Sequence, residues 1–276
     1  MTFRAPSSVA LVGLGVIGGS LALALRDAGI GVVGFAGRED SELARRAGVL
    51  TADTLAAAVR GAGLVVLALP PRIVREAARI ARDVTTAPIL HTTSVQRAAA
   101  LGFVDGDAIP LGTHPLAGSH RSGFAGADKA LFRGARVSVE SRATDEERAV
   151  AKWLWGTVGA GRVEFRDAAA HDRQMAWVSH LPQLAGVALA SAIARGGEHA
   201  LALGPGGRDA TRLAASRFDM WRDILTANAD EILPALDAVA DEIAVMREAV
   251  AARDLVAVRD RWERARSWRE GGRGRS

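Results

Sequence analysis

Apolar and polar positions follow two different rhythms along this chain, and the change falls near residue 167. Before it, short apolar runs alternate with longer amphipathic stretches, the pattern of strands separated by helices. The runs Val9 to Val12, Gly31 to Phe35, Leu64 to Leu69, Ile89 to Thr92, Ala135 to Val139 and Arg162 to Phe165 predict strands. Gly18 to Ala28, closed by Gly29, and Arg72 to Arg82, entered through Pro70-Pro71, predict helices. Such alternation predicts an α/β fold: an N-terminal Rossmann-type doubly wound sheet over residues 1–167. Beyond Asp167 the strand signals stop. Alanine- and leucine-rich stretches from Ala168 to about Arg195 and from Trp221 to about Arg266 predict an all-α domain over 168–276. Gly204-Pro205-Gly206-Gly207 between them predicts a loop. These helices carry too many apolar positions to stand alone in water, so a homodimer through this region is expected.

Composition narrows the classes of function. The 276 residues are 49% hydrophobic, enough for one large or two modest cores. The N-terminus shows no signal-peptide pattern, and no apolar run of about eighteen residues escapes a charge or a breaker. A soluble, cytoplasmic protein without a membrane partner is expected. Having no cysteine, the chain has no disulfide, thiolate nucleophile or thiolate metal site, and the scattered histidines lack zinc-ligand spacing. The pI is near 10.6, yet the net charge is only +4 and acids are spread among the bases. Of 35 basic residues only Lys129 and Lys152 are lysine, a compositional habit of GC-rich coding rather than a nucleic-acid patch. The arginine-rich tail from Arg266 to Ser276 reads as frayed and solvated.

Val9 to Val12 leads directly into Gly13-Leu14-Gly15-Val16-Ile17-Gly18 and a helix. In this fingerprint Gly13 permits the tight turn, Gly15 lets the backbone approach a pyrophosphate, and Gly18 allows helix and strand to close. The helix N-terminus offers N–H groups and partial positive charge to the phosphates. A dinucleotide, NAD or NADP, is the expected cofactor. At the end of the second strand the chain reads Phe35-Ala36-Gly37-Arg38, where an acid would bind the ribose hydroxyl of NAD. Arg38 suits a 2′-phosphate and leans the reading toward NADP. Glu39 and Asp40 follow, and either reaches a hydroxyl if the loop turns back.

The segment from Gly112 to Gly123, Gly-Thr-His-Pro-Leu-Ala-Gly-Ser-His-Arg-Ser-Gly, reads as a glycine-rich loop holding a histidine before a proline. Pro115 confines His114 to extended backbone, which helps aim its ring. With Thr93-Ser94-Val95, His171-Asp172, Ser179-His180-Leu181-Pro182, Thr211-Arg212 and Met220-Trp221-Arg222-Asp223-Ile224, nearly the whole chain resembles the prephenate and arogenate dehydrogenases of tyrosine biosynthesis. That resemblance implies oxidative decarboxylation of a small acidic substrate, with hydride leaving the hydroxyl-bearing ring carbon and CO₂ the opposite one. It implies His114 as the catalytic base, Ser94 as a contact to substrate hydroxyl and nicotinamide, and Arg212 as the ligand of the side-chain carboxylate. His180 and Gln183 fall at substrate-binding positions. For His180 and Asp172 structural duties stay open, the one hydrogen-bonded in the core, the other fixing a helix start. Relatives often carry a histidine where Gln183 stands and an acid where His120 stands. The first difference leaves prephenate against arogenate open, because those substrates differ only in a keto or an amino side chain. A binding protein that had lost catalysis would lack the base, and His114 is present.

Overall fold

The computed structural model describes residues 3–119 and 121–271, and Met220 without its side chain. Eight strands, β1 (Ser8–Val12), β2 (Gly31–Phe35), β3 (Leu50–Thr51), β4 (Leu64–Leu67), β5 (Ile89–His91), β6 (Leu111–Pro115), β7 (Arg136–Glu140) and β8 (Arg162–Arg166), form one sheet. Their order is β3-β2-β1-β4-β5-β6-β7-β8. The first six run parallel; β7 lies antiparallel to β6 and carries β8 parallel to itself. Helices α1 (Val16–Asp27), α2 (Arg38–Arg46), α3 (Leu55–Val59), α4 (Pro71–Arg82) and α5 (Asp145–Thr157) fill the connections. Strand side chains alternate between faces. Val9, Leu11, Leu64 and Val66 meet Leu21 and Leu25 of α1 and Leu154 and Trp155 of α5. Ala10, Val12, Val65 and Leu67 meet Val74 and Ala78 of α4 on the other face. Burial on both faces is why these strands read as unbroken apolar runs.

Two strands escape the sequence pattern. β3 has only two residues. β6 occupies the start of the segment expected as a loop, and it carries His114. Glycine and proline lower strand propensity there, but pairing with β5 ends at His91↔Gly112. Pro115 therefore faces only β7, where it pairs with Val137.

The helical part begins where the Asp167 side chain accepts from Ala170 N–H at 2.9 Å and caps α6 (Ala168–Met175). A π-helical turn over Ala176–His180 joins it to α7 (Leu181–Arg195). Pro182 sits in the first turn of α7, where a missing N–H is tolerated. Residues Ala168–Arg195 consequently form a helix long and apolar enough to cross a membrane by length and composition. His171, Asp172 and His180 are buried within it, while Trp177, Val178, Val187 and Leu189 are exposed. The expected loop at 204–207 is only partly one, because Pro205 opens α8 (Pro205–Thr211). The stretch expected from Trp221 to about Arg266 divides into α9 (Phe218–Ala227), α10 (Ala229–Ala251) and α11 (Leu255–Gly271). Arg253 takes a left-handed φ of 56° at the second break. Helix α11 continues to Gly271, so the basic tail is helical rather than frayed that far. His120 and residues 272–276 lie outside the described residues, together with the expectations placed on them.

By contacts the chain forms two compact units, Met1–Ala229 and Asp230–Ser276. The first extends past the sheet because Ile224 and Trp221 of α9 pack against the cluster under α4. Arg72 Nε also meets Asp223 Oδ2 at 3.1 Å. The second holds the remainder of α10 with α11; Arg261 Nε lies 3.7 Å from Glu242 Oε2, and Ile243, Val250, Val256 and Trp262 are exposed.

Candidate active site

The carboxyl ends of β1, β4, β5 and β6 share one edge of the sheet, and strand order reverses at β1, so ligand-binding loops converge there. Gly13 has φ of 91°, and a Cβ on it would lie 2.2 Å from the Ala68 carbonyl oxygen. A Cβ on Gly18 would lie 1.8 Å from the Gly13 oxygen. Gly15, which caps α1, would meet nothing within 4 Å. Two glycines thus let strand, turn and helix close, and the third leaves the helix mouth open, an arrangement that fits a pyrophosphate. Leu14 is buried against Gly34, Val16 packs toward Gly126, and Ile17 packs on the core, so these three offer a ligand mainly backbone. Arg38 is the first residue of α2 and is exposed. Asp40 Oδ1 instead accepts from Phe124 N–H at 2.7 Å.

His114 stands on β6 with Nδ1 3.0 Å from Nε2 of His171, whose own Nδ1 is 2.8 Å from Asp172 Oδ1. The two rings meet edge to face at 81°. An ionised carboxylate only accepts, which puts a proton on His171 Nδ1, and with both rings in the neutral form the rest of the chain follows. His171 donates through Nδ1 to Asp172 and accepts at Nε2; His114 donates through Nδ1 and keeps its lone pair on Nε2. Asp172, fully buried, also accepts from Gln96 N–H at 2.8 Å, Arg97 N–H at 2.9 Å and Arg97 Nε at 3.1 Å. Burial pushes its carboxyl up, but the hydrogen bonds from His171, Arg97 and Gln96 outweigh it and hold the group below its usual range. Asp172 does not start a helix, as one reading of the sequence allowed; Asp167 does. His114 is driven down to about 3 by burial, with the charges of His171 and His180 adding to the effect. His180 is driven down to about 4 by burial, which the attraction of Asp172 only partly offsets.

Ser94 follows β5 on the turn that ends with the Gln96 and Arg97 N–H groups on Asp172, so the same carboxylate anchors its loop. It caps no described helix. His180 is buried, its Nδ1 3.3 Å from Asn228 Nδ2 and its ring 5.9 Å from that of Trp221. A cavity of about 420 Å³ is lined by His114, Pro115, Gly118, Met175, Val178 and Ser179. A second, of about 760 Å³, takes over at Ser119 and is lined by Arg121, Gln183, Arg212, Arg217 and Trp221 among others. Arg212 opens a 3₁₀ turn, Arg212–Ala215, and is exposed. The structure therefore groups His114, His171, Asp172, His180 and the Ser94 turn, and puts Arg212 with Gln183 in the adjoining cavity.

Three residues of this cluster received no role from the sequence. His171 was visible beside Asp172 but appeared as part of a motif rather than as the partner of His114. Arg97 reaches Asn228 Oδ1 at 2.9 Å, and Asn228 Nδ2 donates to the Asp172 carbonyl at 2.9 Å. These contacts span 131 and 56 residues of chain, and no local pattern announces them.

Both histidines stay neutral well into the acid range, with a consequence for stability. In the unfolded chain they protonate near pH ~6.5, whereas in the fold they resist until about 3 for His114 and about 4 for His180. Their contribution is complete above the unfolded value and is lost as pH falls toward the folded ones. Imidazole resonances followed by NMR are expected to show neither titrating between pH 5 and 8, and urea midpoints to fall as pH drops from 7 to 4. A midpoint near 6.5 for His114 would contradict the buried relay.

Comparison with known proteins shows the family. The family model described as "Prephenate dehydrogenase, nucleotide-binding domain" matches residues 21–163, and "Prephenate dehydrogenase, dimerization domain" matches residues 167–262. A cyclohexadienyl dehydrogenase from Zymomonas mobilis is 31% identical over 266 residues, covering 89% of this chain and 89% of that protein. A prephenate dehydrogenase from Bacillus subtilis is 29% identical over 289 aligned positions, covering 96% of this chain and 76% of the relative. The crystal structure of prephenate dehydrogenase from A. aeolicus in complex with hydroxyphenyl propionate and NAD+ superposes with a TM-score of 0.86 at 25% identity, covering 96% of this chain and 98% of that one. With the Rossmann sheet, the glycine cradle and both matched halves in place, the chain belongs to the prephenate dehydrogenase family of NAD(P)-dependent oxidoreductases.

Proposed function

We propose that this protein catalyses the NAD(P)-dependent oxidative decarboxylation of a cyclohexadienyl acid in tyrosine biosynthesis: prephenate to 4-hydroxyphenylpyruvate, or arogenate to tyrosine. The observation that supports it best is the His114–His171–Asp172 relay, which leaves a neutral imidazole nitrogen at the sheet edge that also carries the glycine cradle. The bound nicotinamide supplies the hydride acceptor. His114 Nε2 takes the substrate hydroxyl proton as the C–H pair leaves, so that a ring carbonyl forms at the carbon losing hydride. The charge gained by His114 is shared through His171 with ionised Asp172, as an orienting acid stabilises an imidazolium. When the opposite carbon loses CO₂, that electron pair flows into the ring, the oxygen becomes phenolate, and His114 returns the proton. Ser94 aligns hydroxyl and nicotinamide, His180 borders the reacting group, and Arg212 holds the side-chain carboxylate. Residues 1–167 serve the dinucleotide, and residues 168–276 serve substrate and assembly.

His114→Asn is expected to lower kcat by about 10²–10⁴ with dinucleotide affinity unchanged. Arg212→Ala is expected to raise KM by roughly 10–100-fold, since a charge-assisted hydrogen bond contributes ~1.5–3 kcal/mol. Steady-state kinetics with equilibrium dinucleotide titration check both; near-normal kcat in the first variant would remove the base.

For the cofactor, Asp40 is committed to Phe124 N–H while Arg38, exposed past β2, has no side-chain partner among the described residues, which supports NADP over NAD. Arg38→Ala should raise KM for NADP+ several-fold and leave KM for NAD+ little changed. A wild-type preference for NAD+ would remove the role of Arg38.

The homodimer rests on the apolar surface left open on α7 and on α11, including Val187, Leu189 and Trp262. Sedimentation equilibrium is expected to give twice the 28.8 kDa chain mass; a monomer at micromolar concentration would refute it.

A further inference from the structure

Gln183 is 5% exposed, and its amide orientation is fixed by its neighbours. Nε2 donates to the Leu213 carbonyl at 2.8 Å and to Ser216 Oγ. Ser216 Oγ in turn donates to the same Leu213 carbonyl at 2.9 Å. A carbonyl oxygen only accepts, so flipping the amide would set two acceptors against each other. Both N–H groups are therefore spent on the turn that presents Arg212, and the remaining amide atom, Oε1, has no partner among the described residues. Gln183 and Arg212 line one cavity with Arg121 and Arg217, and Asp219, also in its lining, is paired with Arg217 at 3.4 Å.

We propose that the Gln183 amide, pinned by Leu213 and Ser216, makes this a site for an α-amino acid side chain, so that arogenate rather than prephenate is the preferred substrate. This rests on the dehydrogenase reading above. With the side-chain carboxylate on the Arg212 guanidinium, the substituent on the adjoining carbon faces a fixed acceptor. An ammonium donates to Gln183 Oε1, a fixed acceptor. A keto oxygen there opposes one acceptor with another and leaves Oε1 desolvated without a donor. Gln183 is thus a specificity-determining residue that also positions Arg212.

The test is kinetics of the full-length protein with arogenate and with prephenate, each with NAD+ and NADP+, beside calorimetric binding of the two products. Arogenate should exceed prephenate at least tenfold in kcat/KM, and L-tyrosine should bind at least tenfold more tightly than 4-hydroxyphenylpyruvate. Gln183→His, which restores a possible donor, should shift the kcat/KM ratio toward prephenate. Ser216→Ala should raise KM for both substrates while the ratio still favours arogenate. Equal or better use of prephenate by the wild type overturns the proposal and leaves the dehydrogenase reading intact. Absence of turnover in all four combinations overturns the dehydrogenase reading itself, and with it this inference. If Gln183→His does not fold, the wild-type ratio and the product affinities still decide.

Discussion

A buried, ionised carboxylate is the constraint around which the site is arranged. Asp172 has no access to solvent and compensates the cost of burying charge with four hydrogen bonds from Gln96, Arg97 and His171. Such a group must be fully satisfied or protonated, and here the donors come from both halves of the chain. The turn after β5 supplies two backbone N–H groups and a guanidinium, and α6 supplies the imidazole. The carboxylate that polarises the relay is thereby also the tie between the turn carrying Ser94 and the helix carrying His171.

Chemistry follows from what that tie permits. A histidine chain ending on a buried carboxylate can accept a proton at one end without charging an unpaired buried group, because His171 links that end to a carboxylate held below its usual range. The same burial that makes His114 hard to protonate in the resting protein keeps it a free base across the working pH range. His91 is driven down to about 3 by burial as well.

Much of the fold was legible because its signals are local. Six strands, the glycine cradle and the change to helices after Asp167 all rest on side-chain periodicity or on glycine at a turn. Where the reading departed, a tertiary partner outweighed local propensity. β6 forms through Gly112 and Pro115 because β5 and β7 hold its flanks. At the expected 204–207 loop, Pro205 opens a helix instead of preventing one. Within the site, His114, Ser94 and Arg212 were visible as residues, and His171 as a motif, but not as one connected arrangement.

The sequence by itself determined the fold class, the dinucleotide cradle and the family, since each depends on residue types at short spacings. Only the tertiary structure decided which nitrogen of His114 is free, that Asp172 is a hub rather than a cap, and that the Gln183 amide is spent on Leu213 and Ser216. Those outcomes are set by hydrogen-bond directions between segments far apart in the chain. A glutamine in a sequence can donate or accept; the same glutamine against a fixed carbonyl has one orientation left.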